Sequence, residues 1–268
     1  MKKNHFISKE REIYLKEIKR KNCLIHFFRI IILLVFISLW EFLTRINIID
    51  PFLFSSPLRI IKTIKDLALS GNLFNHVYTT LLETVSGFLI ATIIGTVIAL
   101  LLWISEKAQK IFEPYLIVLN ALPKIALGPI IIIAFGAGVK SIIFMTIIVT
   151  LIVTIINMLT GYLQTDKGKI FLLKSMGATK FQILTHLIIP NSIPTLISTL
   201  KVNVGLSWIG SIMGEYIVSK EGLGYLIVYG GQVLKLDLVM ASTIILCVLA
   251  GLMYCLVAFL EKKITRWQ

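Results

Sequence analysis

Residues 141–163 run for 23 positions without a charged side chain, and five further stretches of similar character are spread along the chain. A helix needs roughly 20 apolar residues to cross a hydrocarbon core. These runs are long and lack the period-two alternation of a barrel strand, and in lipid an unpaired backbone amide has nothing to bond. Spanning helices are therefore expected and antiparallel barrels excluded. The expected spans are 27–43, 77–104, 115–135, 141–163, 193–213 and 238–260, with soft ends. The third is interrupted by Pro123, Lys124, Gly128 and Pro129.

Composition agrees. At 57% hydrophobic and 15% charged residues, with a mean hydropathy of +0.89, the chain is too apolar for a soluble domain. Its formal charge of +13 admits nucleic acid, anionic lipid or cytoplasmic loops as a cause, so placement decides. Nine basic residues near the N-terminus, three in the tail and six in the second-to-third and fourth-to-fifth connections lie on one side, against seven on the other. That bias puts both termini in the cytoplasm. Basic residues scattered among spans, with no stacking platform or recognition helix, argue against a nucleic-acid partner.

Residues 1–26 read as a basic cytoplasmic arm, with Glu12 and Lys16 spaced as a helical pair. Its Ile13, Leu15 and Ile18 either rest on the lipid surface or belong to a solvated charged helix. Residues 27–268 form the six-span domain. The first apolar run follows a long polar arm and lacks a small-x-small cleavage site, as an uncleaved anchor would. Cys23, Cys247 and Cys255 show neither metal-ligand spacing nor an even disulfide set and read as structural; no metal site is expected.

The cytoplasmic connection at about 164–189 mixes apolar and basic residues around a glycine: Leu173, Lys174, Ser175, Met176, Gly177, Ala178, Thr179 and Lys180. Two short helices broken at Gly177 are predicted, because a residue without Cβ lets the backbone turn sharply. Such a hairpin is either a docking knob for another protein or an interfacial loop lying on lipid.

Gly177 is followed after nine residues by Leu187-Ile188-Ile189-Pro190. This resembles the cytoplasmic pattern Glu-Ala-Ala, three residues, Gly, nine residues, Ile-x-Leu-Pro of binding-protein-dependent ABC importer permeases. The Glu-Ala-Ala positions hold Phe171, Leu172 and Leu173 instead. The likeness extends through Phe54-Ser55-Ser56-Pro57-Leu58, Thr79-Thr80-Leu81-Leu82 with Gly87-Phe88, and Leu122-Pro123-Lys124-Ile125-Ala126-Leu127-Gly128-Pro129 leading to Phe135-Gly136. It continues in Gly214-Glu215-Tyr216 and Glu221-Gly222-Leu223-Gly224-Tyr225-Leu226. The chain looks like the branch of these permeases that handles nitrate, sulfonate, taurine and related small molecules.

The resemblance implies an all-α integral membrane protein with the type I importer permease fold, six spans and a cytoplasmic coupling loop. It implies a bacterial cell-membrane location, a pore of two copies or two similar chains, an ABC ATPase subunit that uses ATP and Mg, and a separate extracytoplasmic substrate-binding protein. The cargo would be a small solute, anionic or like a vitamin precursor. Independently, no Gly-x-x-x-x-Gly-Lys-[Ser/Thr] phosphate loop occurs in the sequence, so no cofactor is expected in this chain and ATP hydrolysis is assigned to another. Within the coupling loop Gly177 would set the elbow's angle, and Leu173 and Met176 would fill an apolar groove on the ATPase.

Ionisable and polar groups at membrane depth carry either function or structure. Lys201 either draws an anionic solute, snorkels, or pairs with a carboxylate. Lys124 sits where the third span breaks, facing a watery pore or serving the kink. Asn203, Ser207 and Ser211 recur four apart beside Trp208; with Asn157, they either line a hydrated path or glue helices together. Glu215 is a candidate outer gate or binding-protein contact, or else an interfacial carboxylate paired with Lys220. Glu41 and Glu83 are expected at the interfaces. No catalytic constellation is visible, for the four histidines are dispersed and no carboxylate pair has suitable spacing within a span. The alternatives are a membrane-embedded enzyme, which wants clustered acid, base or metal ligands, and an ion-coupled secondary transporter, which wants inverted repeats and acidic residues at mid-membrane.

Overall fold

A computed structural model of the protein describes residues 9–264, and these divide into two compact units, with the boundary along the chain between Lys62 and Thr63. The predicted Glu12–Lys16 pairing, the surroundings of Ile13 and Leu15, and the first eight and last four positions lie outside the described residues.

The first unit is dominated by one helix, α1 (Lys9–Arg45), whose apolar part is Cys23–Arg45. Its Phe28, Ile32, Val35 and Phe36 are all exposed, as suits a helix surrounded by hydrocarbon. At its end Glu41 accepts from Arg45 Nε at 2.9 Å and from the Leu58 amide at 3.2 Å. A short α2 (Pro51–Phe54), capped by Asp50 through the Phe52 amide, leads to α3 (Pro57–Leu69).

In the second unit α4 (Asn72–Ile104), α7 (Val139–Leu163) and α10 (Ile189–Val218) form the centre. Small residues allow their close approach, as is usual in lipid where no hydrophobic force drives helices together. Gly87, Ala91, Gly95 and Ala99 make a buried stripe on α4, spaced four apart. Thr146, Thr150 and Thr154 on α7 return their hydroxyls to carbonyls four residues back, at 2.8–2.9 Å, and so present methyl groups outward. A methyl added at Gly210 on α10 would stand 2.7 Å from Thr146 Cα, so that crossing leaves no room for a side chain.

The predicted third span is two helices, α5 (Glu106–Ala121) and α6 (Gly128–Phe135), joined by a 3-10 turn (Lys124–Leu127) and bent by 86°. Pro123 forces the preceding Leu122 into extended backbone at ψ 138°, which ends α5. Among the described residues, five helices are long and apolar enough to cross a membrane, or six with the bent pair counted as one.

Two short helices, α8 (Lys167–Ser175) and α9 (Lys180–Ile183), follow α7. A single π turn over Leu184–Ile188 then feeds α10, in which the Ile189 amide reaches back five residues to Leu184. The wider turn accommodates Pro190, which has no amide to donate and whose ring would crowd the carbonyl four residues before it. Beyond α10, α11 (Leu223–Gln232) packs on α12 (Leu236–Ile264), which closes the bundle.

Candidate functional site

Two constructions carry the residues singled out by the sequence. The first is the elbow between α8 and α9. Asp166 caps α8 by accepting the Gly168 amide at 2.7 Å. The helix ends with the Gly177 amide bonded to the Lys174 carbonyl and the Ala178 amide to the Leu173 carbonyl, both at 3.0 Å. This paired closure requires a left-handed residue, and Gly177 supplies it at φ +83°. The next helix is capped at once: the Thr179 amide donates to Gln182 Oε1 at 2.8 Å and the Gln182 amide to Thr179 Oγ1 at 3.3 Å. The turn is thus fixed on both sides of its glycine.

Ile170, Leu173 and Ala178 turn inward and pack on a cluster formed by Ala99, Leu102, Met158, Tyr162, Ile183 and Ile188. Here the structure refines an expectation. Leu173 is half-buried: it packs against the chain's own core, and only its remaining surface lines an open cavity with Met176 and Gly177. The apolar residues that do point outward are Phe171, Leu172, Met176 and Phe181, at 72%, 59%, 74% and 71% exposure. Lys174, Ser175, Thr179 and Lys180 are exposed beside them. The register is legible afterwards, since Ile170 and Leu173 stand three apart on one helical face.

The second construction is a polar seam inside the bundle. Asn203, Ser207, Trp208 and Ser211 are brought together and are all buried. Asn203 Nδ2 donates to Thr92 and Thr154 at 3.1 and 2.9 Å, and Ser211 shares a 2.6 Å hydrogen bond with Thr84. Ser207 donates to the Val204 carbonyl at 2.9 Å. Asn157 is half-buried on α7, and Lys124 stands apart in the bend, its ammonium bonded to the Asn120 carbonyl at 3.0 Å. Lys201 is paired with Glu261 at 2.6 Å.

At its far end the seam meets the segment between α10 and α11. Glu215 and Glu83 were expected near the membrane surface, but both are fully enclosed, at 1% and 0% exposure. Glu83 lies eleven residues into α4, about 16 Å along the helix. Glu215 folds under the connecting segment and accepts the Gly224 amide at 2.5 Å. A Cβ on Gly222, at φ +108°, would collide with its carboxylate, so two glycines make this enclosure possible. Alongside, Thr80 Oγ1 accepts the Leu223 amide at 2.8 Å and His76 Nδ1 accepts the Gly222 amide at 3.0 Å. His76, Thr84 and Thr92 were not singled out in the sequence, and Thr80 entered only as part of the segment Thr79-Thr80-Leu81-Leu82; their spacing on α4 was the available signal. Among the described residues no group of three or more His, Cys, Asp or Glu side chains is placed to hold a metal.

The likeness to known proteins spans these constructions. Residues 91–266 match the family described as binding-protein-dependent transport system inner membrane component. An aliphatic sulfonates transport permease of Bacillus subtilis is 27% identical over 235 residues, 87% of this chain and 85% of its own. The formylaminopyrimidine transport permease of Halalkalibacterium halodurans is 31% identical over 192 residues, covering 72% of this chain and 76% of its own. Among solved structures, an inward-facing MetNI methionine ABC transporter superposes with a TM-score of 0.66 at 19% identity, covering 74% of this chain and 98% of that one, a likeness of fold. With five to six apolar helices long enough to cross a membrane among the described residues, a capped elbow after α7 and a family match covering most of its length, the chain belongs to the inner-membrane permease components of binding-protein-dependent ABC importers.

Proposed function

We propose that the α8–α9 elbow is the face on which a separate ATPase works, and that two copies of this chain enclose the path of a small solute delivered by a binding protein. The observation that carries this reading is the elbow itself: a turn capped on both sides of Gly177, with Phe171, Leu172, Met176 and Phe181 exposed on a rigid mount. An apolar patch on a short, well-capped hairpin suits a protein groove, and the partner supplies the ATP and Mg chemistry for which this sequence has no phosphate loop. Closure of the ATPase pair would drive the elbow, and the tightly packed α4, α7 and α10 would follow as a rigid body. The lysine-rich elbow and termini then face the cytoplasm.

The relatives' cargoes, aliphatic sulfonates and formylaminopyrimidine, differ in charge. Lys201 sits within an apolar helix, but its charge is answered by Glu261. Two further carboxyls are buried in the bundle. Those features favour a small uncharged heterocycle of the vitamin-precursor kind over an anion.

The test is uptake and ATPase activity in proteoliposomes containing this permease, its ATPase and its binding protein. Gly177→Asp leaves the left-handed turn strained and places a charge in the apolar patch. It is expected to abolish uptake and binding-protein-stimulated hydrolysis while the permease itself stays folded. Full coupling in that variant would end the assignment of the elbow.

A further inference from the structure

Glu83 on α4 and Glu215 on α10 are both enclosed in the interior of the second unit, beside the 2.6 Å Thr84–Ser211 hydrogen bond that joins their helices, and each carboxyl acts electrostatically on the other. Neither has an ion-paired lysine or arginine among the described residues. Their surroundings are unequal. Glu215 receives the Gly224 amide at 2.5 Å and also lies within bonding reach of the Tyr225 amide and the Thr80 hydroxyl. Both oxygens of Glu83 and Oε1 of Glu215 receive no hydrogen from any other group. The remaining titratable groups that face the pair are His76 on α4, Glu221 in the connecting segment, Tyr216 on α10 and Tyr225 on α11. None of them is a cation placed to neutralise two carboxylates.

Ionised carboxylates accept hydrogen bonds and do not donate them. Two of them side by side in an enclosed site would repel, and three oxygens would be left without donors. A single proton removes both difficulties. We propose that Glu83 and Glu215 hold one proton between them, carried by Glu83 and donated to Oε1 of Glu215, and that this carboxyl–carboxylate pair fastens the segment between α10 and α11 onto α4. The assignment follows the donors: Glu215 has backbone amides to stabilise its charge, and Glu83 has none. The pair completes a row of clasps from α4, with His76 holding Gly222, Thr80 holding Leu223, and Glu83 reaching Gly224 through Glu215.

Linkage gives the proposal a sign. When the segment lifts, both glutamates become solvated and release the proton at neutral pH, so the lifted form binds one proton fewer. Lifting becomes about tenfold easier per pH unit above the range where solvated glutamates titrate, for as long as the closed pair keeps its proton; below that range the lifted form binds both protons and the slope reverses. Glu83→Gln replaces the proton by an amide that donates permanently, which removes this slope. Glu215→Gln places the charge on Glu83, where no backbone donor exists, and loosens the clasp at every pH.

Infrared spectroscopy of the purified wild-type permease should show a protonated carboxylic acid C=O band at neutral pH that Glu83→Gln removes. Hydrogen exchange of residues 219–226, corrected for intrinsic rate, should accelerate about tenfold per pH unit in the wild type and stay flat in Glu83→Gln. Absence of the band in the wild type, which needs no variant to fold, overturns the proposal. So does an exchange slope in Glu83→Gln equal to that of the wild type. Protection that follows sodium or potassium concentration at fixed pH, with no proton slope, shows that a metal cation occupies the pair and equally overturns it. These readouts require neither ATPase nor solute, so they stand or fall separately from the transport assignment.

Discussion

Asn203 Nδ2 lies 2.9 Å from Thr154 Oγ1 and 3.1 Å from Thr92 Oγ1, so a single amide ties α10 to both α7 and α4. In lipid the separated helices find other partners for their polar groups, and an interhelical hydrogen bond is correspondingly modest, about 0.6 kcal/mol on average and rarely above about 1.7. Losing both bonds and the side-chain volume in Asn203→Ala should therefore cost on the order of 1–3 kcal/mol. Thr92→Val and Thr154→Val should each cost less, because one bond survives. Thermal unfolding in a fixed detergent measures the series. An unchanged midpoint in Asn203→Ala would mean that the amide does not hold the helices.

Packing makes a sharper distinction between two glycines on the same helix. A Cβ on Gly210 would meet the backbone of Thr146 at 2.7 Å, whereas one on Gly205 would meet nothing within 4 Å. Backbone cannot swing aside as a flexible side chain can, so Gly210→Ala should push α7 and α10 apart and destabilise by about 1–3 kcal/mol. Gly205→Ala should leave the unfolding midpoint in place or raise it slightly, since alanine favours the helix. Equal loss in both variants would show that the crossing is looser than described.

The difference between these glycines also marks what the sequence reveals about such a fold. The spans are legible because hydrocarbon imposes length and apolarity on each helix separately, and the helical break at Gly177 because left-handed closure is a local demand on one residue. The bend after α5 was visible as Pro123 but not as an 86° turn, which depends on what the two halves pack against. Glu83 looked interfacial because it stands near the start of the expected span 77–104, whereas the helix begins at Asn72. Its partner Glu215 lies on another helix, and the carboxylates fit only because Gly222 and Gly224 let the backbone close over them. The inward turn of Leu173 was hidden for a similar reason, since the surface it meets is assembled from α4, α7, α9 and the π turn that follows.

That inward turn separates docking from folding in an experiment. Leu173 packs on the permease's own core, while Phe171 and Leu172 project from the same helix at 72% and 59% exposure. Leu173→Ala should lower the stability of the isolated permease by about 1–3 kcal/mol through lost packing. Phe171→Ala and Leu172→Ala should leave that stability within about 0.5 kcal/mol and weaken association with the ATPase. Co-purification at graded salt and detergent, set beside unfolding of the permease alone, reads both quantities. Retention of the ATPase by a doubly substituted Phe171→Ala, Leu172→Ala permease would move the docking face elsewhere on the elbow.

Lys201 provides the test of cargo charge. Its ammonium lies 2.6 Å from Glu261, and both side chains remain partly open, at 26% and 34% exposure. A pair this accessible adds little to stability, because solvent screens it and each side chain loses freedom to form it. Removing both charges together in Lys201→Met, Glu261→Gln should leave folding intact and avoid stranding one ion beside an apolar helix. If the cargo is an uncharged heterocycle, uptake by the reconstituted importer should also persist, with unchanged dependence on ionic strength. An anionic cargo that used Lys201 as a waypoint would lose uptake in the double variant and in Lys201→Met alone. It would be transported faster in Glu261→Gln, where the lysine is released from its partner. The sign of that last change is the discriminating measurement: faster uptake on loss of Glu261 assigns Lys201 to the path of an anion, and unchanged uptake assigns the pair to the architecture of α10 and α12.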